Sequence, residues 1–242
     1  MDSICFHIIT NGNPERITSS ESAFRRYGLS YEFSHFKKNK NGKLGCFQSH
    51  VHLYKFAHQH DMEYIGIAED NSIHMHDTLP ASVVLNVNQL LPTQDWDLIL
   101  LGGWFIPFSR YTHTSYPSLY KTTSIHGTSC YIIHKRLYTK ILATYEHHLD
   151  KHIDAYLMNQ SASCYMVSPL LFRRNNTIPT SNTYFSNAIV NAFYYINCSR
   201  TATLMWEFYS IHSLTILTIA LLILLIVLLY WLYRNPLKKS RD

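Results

Sequence analysis

Three observations predict an α/β domain followed by one membrane-spanning helix. Between residues 4 and 172, short apolar runs alternate with segments of helical period, the pattern of strands that feed crossover helices. One run stops abruptly on Glu69-Asp70-Asn71, so a buried strand delivers two carboxylates to its C-terminal end. Residues 213–233 (SLTILTIALLILLIVLLYWLY) then form a stretch of 21 residues without a charge, Pro or Gly, where about 20 suffice to cross a bilayer.

The elements follow in order. Residues 4–10 (ICFHIIT) make a buried strand that leaves through Asn11-Gly12. Asn13 is an N-cap and Pro14 a first helical residue, so residues 14–27 are helical. A strand at 31–36, a Lys-Asn-Gly loop and a helix over 46–60 repeat the unit, with Phe47, Val51, Tyr54 and Phe56 near helical spacing. Residues 64–68 (YIGIA) form the strand that ends in the acidic triplet. A helix over 80–91, a strand over 96–101 ending at Gly102-Gly103, an aromatic loop over 104–120, and a strand over 128–133 come next. A helix from Lys135, a helix over 153–159 and an extended piece over 165–172 interrupted by Pro169 complete the domain. This alternation predicts a largely parallel sheet.

The domain is expected over 1–175, a polar linker and aromatic juxtamembrane segment over 176–210, the anchor over 211–233 and a basic tail over 234–242. The net charge of +5 is modest and is partly spent on that tail, at Arg234, Lys238, Lys239 and Arg241. The basic run 37–43 (KKNKNGK) lacks interleaved aromatics for base stacking, so nucleic acid is not an expected partner. It reads as a solvated loop, with a phosphate-facing role second. Five widely spaced cysteines suit buried thiols rather than a disulfide framework or a CxxC metal site. No GxSxG, Walker or GxGxxG motif occurs, nor HExxH among the 15 histidines, which sets aside hydrolase, P-loop, dinucleotide and zincin chemistry as first choices.

A strand ending in acids suits an enzyme that must hold a cation against a diphosphate, although acidic turns after strands are also common solvated caps. The surrounding motifs resemble, in order, those of glycosyltransferase family 25, which contains bacterial lipo-oligosaccharide and collagen galactosyltransferases. IITNGNPERI carries Pro14, Glu15 and Arg16 of its Pro-Glu-Arg-Arg element, with Ile17 departing from it. GKLGCFQSH carries Gly42, Gly45, Cys46, Ser49 and His50 of Gly-x-x-Gly-Cys-x-x-Ser-His. YIGIAEDN answers a strand ending Glu-Asp-Asp, with Asn71 where a third acid is expected. HGTSCYIIHKRLYTKIL and HIDAYL match the later elements more loosely.

The resemblance implies a GT-A type, Rossmann-like fold and inverting transfer of a hexose, galactose first, from a UDP-sugar to a glycan, glycolipid or glycoprotein. It further implies a divalent cofactor, manganese, at Asp70 and Asn71, with Thr10, Arg16, Gly45, Ser49, His50 and Glu69 around the donor. Asp154 is the candidate base for the acceptor hydroxyl. Loss of the third acid leaves a second reading open, a catalytically degenerate scaffold acting as a membrane-anchored adaptor through its aromatic loop.

The N-terminus has no basic start followed by a long apolar stretch, so a tail-anchored protein with a cytosolic domain is expected. The basic tail alone favours the opposite, lumenal orientation. Sequons at Asn159, Asn175 and Asn197 matter only in that case.

Overall fold

The computed structural model describes residues 1, 4–104, 111–123, 126–174 and 200–234. The chain folds into a mixed α/β sheet whose core strands are buried on both faces. Three parallel strands begin it: β1 (Cys5–Thr10), β2 (Ser30–His35) and β3 (Tyr64–Glu69), with β1 in the middle. The connecting helices are α1 (Pro14–Arg26) and α2 (Gly42–Gln59). Asn13 caps α1 by accepting from the Glu15 and Arg16 amides, and Asn41 caps α2 by accepting from Leu44, so both helices start right after a strand-end loop.

A short strand β4 (Ser72–His74) follows the acidic triplet, and α3 (Ala81–Leu90) leads to β5 (Leu98–Trp104). Strands β6 (Tyr111–His113) and β7 (Leu119–Thr122) form an antiparallel pair inside the segment expected to be an aromatic loop, whose residues 105–110 lie outside the described residues. Next come β8 (His126–His134), α4 (Lys135–Leu142), α5 (Ile153–Gln160), β9 (Cys164–Val167) and β10 (Phe172–Arg174). The extended piece expected over 165–172 is thus two strands, separated at the Ser168-Pro169 bond.

The order β2-β1-β3-β8-β5-β9-β7-β6 corrects the expectation of a largely parallel sheet. Strand β8 runs antiparallel to both β3 and β5. The physical reason is the connection: no helix lies among the described residues between β5 and β8, and a strand that returns without a crossover helix pairs antiparallel.

Phe6, Ile8, Ile65, Ile67, Leu98–Leu101 and Tyr131–Ile133 form the centre of the core. Gly66 sits in β3 because a Cβ there would lie 2.6 Å from the Phe6 ring. Helices α2, α4 and α5 pack on one another and against β3 and β8. The Phe24 ring stacks on Phe172 at 4.8 Å, and the Tyr27 hydroxyl donates to the Leu171 carbonyl, which fixes β10 beside α1.

Helix α6 (Arg200–Arg234) includes residues 211–230, long and apolar enough to cross a membrane at a mean hydropathy of 2.8. Its side chains from Leu214 to Tyr230 are exposed. The helix takes in the last part of the expected juxtamembrane segment; residue 175, linker residues 176–199 and tail residues 235–242 lie outside the described residues. Cys5, Cys46, Cys130 and Cys164 are unpaired thiols, and Cys198 lies outside the described residues.

Candidate active site

A cleft forms where β1, β2 and β3 end. Parallel strands place their carboxyl ends on one edge, and the loops that leave them face each other there. The register pairs Ile9 of β1 with Glu69 of β3, so Thr10 comes level with Asp70. The lining includes Thr10 and Asn11 after β1, Lys37 to Asn39 after β2, Glu69 to Asn71 after β3, and Arg16, Gly45, Cys46, Ser49 and His50 from the two helices. Arg174 closes it from the end of β10. All the sequence-predicted site residues except Asp154 therefore converge on one place.

The anchor of the site is Asp70, which is buried at 4% exposure. One carboxylate oxygen accepts from the Thr10 hydroxyl at 2.7 Å, and the other accepts from the Arg16 guanidinium at 3.0 Å. Its own amide donates to the Ile9 carbonyl, which completes the lock between β1 and β3. A buried carboxylate is tolerated when it is paired and hydrogen-bonded in this way.

Glu69 occupies a different environment. Burial pushes its carboxyl up from the ordinary range, opposed by the Arg174 charge and by a side-chain hydrogen bond from Asn71. Asn71 is buried at 2% exposure, and its carbonyl oxygen Oδ1 is without a hydrogen-bond partner.

Helix α2 supplies the opposite wall. Gly45 is required by close approach, since a Cβ there would stand 2.6 Å from Asn39 Cβ, so the β2–α2 loop folds against the first turn. The Ser49 hydroxyl donates to the Gly45 carbonyl at 2.8 Å and keeps its lone pairs for a ligand. His50 is fully buried, with Nδ1 2.6 Å from the Tyr131 hydroxyl, which in turn lies 2.7 Å from the Tyr54 hydroxyl. Burial pushes His50 down to about 3, so the ring is neutral at physiological pH.

Asp154 does not line the cleft. At the start of α5 its carboxylate accepts from the Gly127 and Ala155 amides at 3.0 and 2.8 Å. Its negative charge nonetheless reaches the site, where it acts on Cys46, His50 and Glu69.

The implied manganese is tested by these contacts. Both Asp70 oxygens are engaged by Thr10 and Arg16, so Asp70 in this arrangement does not fit as a cation ligand. The nearest donor set of another kind is Cys46, His50 and Glu69, whose ligand atoms lie within 4.8 Å of one another. Thiolate and imidazole suit zinc or cobalt, whereas manganese prefers carboxylate and water oxygens.

Four residues of the cleft received too little weight in the sequence reading. Lys37 and Lys38 are exposed, as a solvated loop requires, and the β2–α2 connection also sets them at the edge of the cleft, in line with the phosphate-facing role ranked second in the sequence. Arg174 follows the last expected strand and had no assigned role, and only its pairing in β10 brings it in. Cys46 read as a buried thiol; its i, i+4 spacing to His50 on one helix face was the available signal.

No protein-family model and no curated protein matches the sequence. Solved structures do. Protein A197 from STIV is 12% identical with a TM-score of 0.46, over 68% of this chain and 81% of its own. A glycosyltransferase involved in the glycosylation of the major capsid of PBCV-1 is 10% identical with a TM-score of 0.45, over 73% of this chain and 94% of its own. The inositol-1-phosphate CTP transferase from T. maritima is 10% identical with a TM-score of 0.40, over 72% of this chain and 89% of its own.

Proposed function

We propose that the chain is a membrane-anchored glycosyltransferase of GT-A type that moves a hexose, galactose first, from a UDP-sugar to a glycan, glycolipid or glycoprotein acceptor with inversion. The catalytic domain is 1–175, tethered through 176–210 to the anchor at 211–233. The supporting observation is the charge of the cleft: Arg16, Lys37, Lys38 and Arg174 face two carboxylates, Glu69 and Asp70, at the carboxyl ends of parallel strands. Four cations against two anions leave an excess of positive charge suited to a diphosphate.

Arg16 is the residue best placed to meet that diphosphate. Its guanidinium forms a planar fork, and Asp70 holds one nitrogen so that the group is pre-aimed. The cleft holds about 110 Å3, well under the roughly 300–1,000 Å3 that encloses a drug-sized ligand. It therefore takes the diphosphate, while the sugar and the base lie along its open rim. Ser49, on the wall of the cleft, is positioned to bind a sugar hydroxyl. Asp154 remains the candidate base, in the same electrostatic neighbourhood as His50 and Glu69. Since Asp70 does not fit as a cation ligand, positive side chains are assigned the neutralisation of the leaving UDP.

That same engagement of Asp70 favours a second reading, in which the scaffold binds a UDP-sugar without turning it over. Either reading predicts that Arg16→Lys, which keeps the charge and loses the fork, weakens UDP binding about tenfold, or ~1.4 kcal/mol. Isothermal titration of the full-length chain in detergent measures it. Unchanged affinity would remove Arg16 from the diphosphate site and with it the support for this reading.

A further inference from the structure

We infer that Cys46, His50 and Glu69 form a three-ligand site for a zinc-class divalent cation, built into the floor of the cleft. It goes beyond the transfer proposed above and does not rest on it.

The three residues come from two elements that the fold brings together. Cys46 and His50 stand one turn apart on α2 and so share a face, while Glu69 ends β3 opposite them. Their ligand atoms all lie within 4.8 Å of one another. Ligands around a tetrahedral zinc sit about 3.5 Å apart, given bonds of about 2.0–2.3 Å. Small side-chain rotations close that difference.

The second observation is the state of His50. The residue has 0% exposure, its Nδ1 is taken by the Tyr131 hydroxyl, and its Nε2 is buried without a hydrogen-bond partner. A buried ring nitrogen left unpaired costs free energy unless something accepts its lone pair or its proton. Metal-bound histidines show this division, one nitrogen held by an outer partner and the other on the ion. Tyr131 acts as that outer partner, itself fixed by Tyr54.

Cys46 fits the same account. A thiol binds a cation as thiolate, so Cys46 must give up its proton on binding. Binding M2+ exchanges that proton: the S–H bond breaks, the S–M bond forms, and one H+ leaves to solvent. One thiolate and one carboxylate then match the dication's charge. Cys46 and Glu69 both line the cleft, so the fourth position opens onto it and takes water or an anionic oxygen.

The full-length chain, purified in detergent and stripped with a chelator, is titrated with Co2+ while its absorption is recorded. One equivalent is expected to give a sulfur-to-cobalt charge-transfer band in the near ultraviolet with the visible bands of a tetrahedral ion. Zn2+ at one equivalent should abolish both, and Mn2+ in roughly tenfold excess should not. Cys46→Ser should remove the charge-transfer band, Glu69→Gln should weaken Co2+ binding about tenfold or more, and Cys5→Ser should leave the spectrum unchanged. Absence of the band in the unaltered chain, its persistence in Cys46→Ser, or displacement of Co2+ by Mn2+ would each overturn the inference. The unaltered chain decides even if a variant fails to fold, and no donor sugar is present, so the result is independent of transfer activity.

Discussion

Replacing Asp70 by Ala is expected to cost about 3–5 kcal/mol of stability, because it removes the carboxylate that pairs with a buried guanidinium. Asp70 and Arg16 have side chains only 6% and 9% exposed, so water cannot substitute for the lost partner. The Thr10 hydroxyl loses its acceptor in the same step. In a domain of this size the change lowers the melting temperature by on the order of 10 °C. Thermal unfolding followed by circular dichroism measures it. Removing both charges at once, with Arg16→Leu and Asp70→Ala, should cost less than the sum of the single variants, since no uncompensated ion remains. A loss under about 1 kcal/mol for Asp70→Ala would mean that the pair is not formed in the folded state.

The second large effect is at Asp97, which fastens the far side of the sheet. Its carboxylate accepts from the Ala162 and Ser163 amides at 2.6 and 2.9 Å and from Arg136 Nε at 2.7 Å. These contacts hold the start of β9 beside β5. Asp97→Ala should therefore cost about 2–3 kcal/mol, the scale of hydrogen bonds to a charged group. The same contacts set a pH dependence. Burial raises the Asp97 carboxyl, and the Arg136 bond and the two amides more than offset it, leaving the group below its ordinary value. A depressed folded pKa means that the folded state binds fewer protons than the unfolded one. The contribution is present above the unfolded value of about 3.9 and is lost as pH falls through the lower folded value. Asp97→Asn should remove that component, so its stability should fall less steeply than wild type between about pH 4 and pH 2. Parallel acid-unfolding curves for the two proteins would contradict the assignment.

The strands and helices up to β3 were legible because local chemistry and tertiary context agree there. Asn13-Pro14 announces α1, and the apolar runs at β1 and β3 are buried on both faces. Alternation was a poorer guide beyond β5, where the chain returns as β8 with no helix among the described residues and reverses direction. The candidate site was legible as residue types but not as partners. Arg16, Thr10 and Asp70 stood in the motifs, yet their bond to one another depends on the Ile9–Glu69 register, which no local pattern encodes. Asp70 accordingly moved from expected cation ligand to the acid that aims Arg16. Arg174 is 104 positions from Asp70 in the chain and becomes a neighbour of the cleft only through β10 pairing with β4. Cys46 was visible at helical spacing from His50, but the third member, Glu69, arrives from a separate strand.

Transfer of a hexose from a UDP-sugar bound in this positively lined cleft leaves free UDP as a product. The direct measurement is release of UDP from a panel of UDP-sugars by the full-length chain in detergent, run with Zn2+, with Mn2+ and with neither, beside an Arg16→Lys variant. One donor, UDP-galactose first, is expected to be consumed, and Arg16→Lys to slow its use about tenfold at subsaturating donor. Release of no UDP from any donor under all three metal conditions would contradict it.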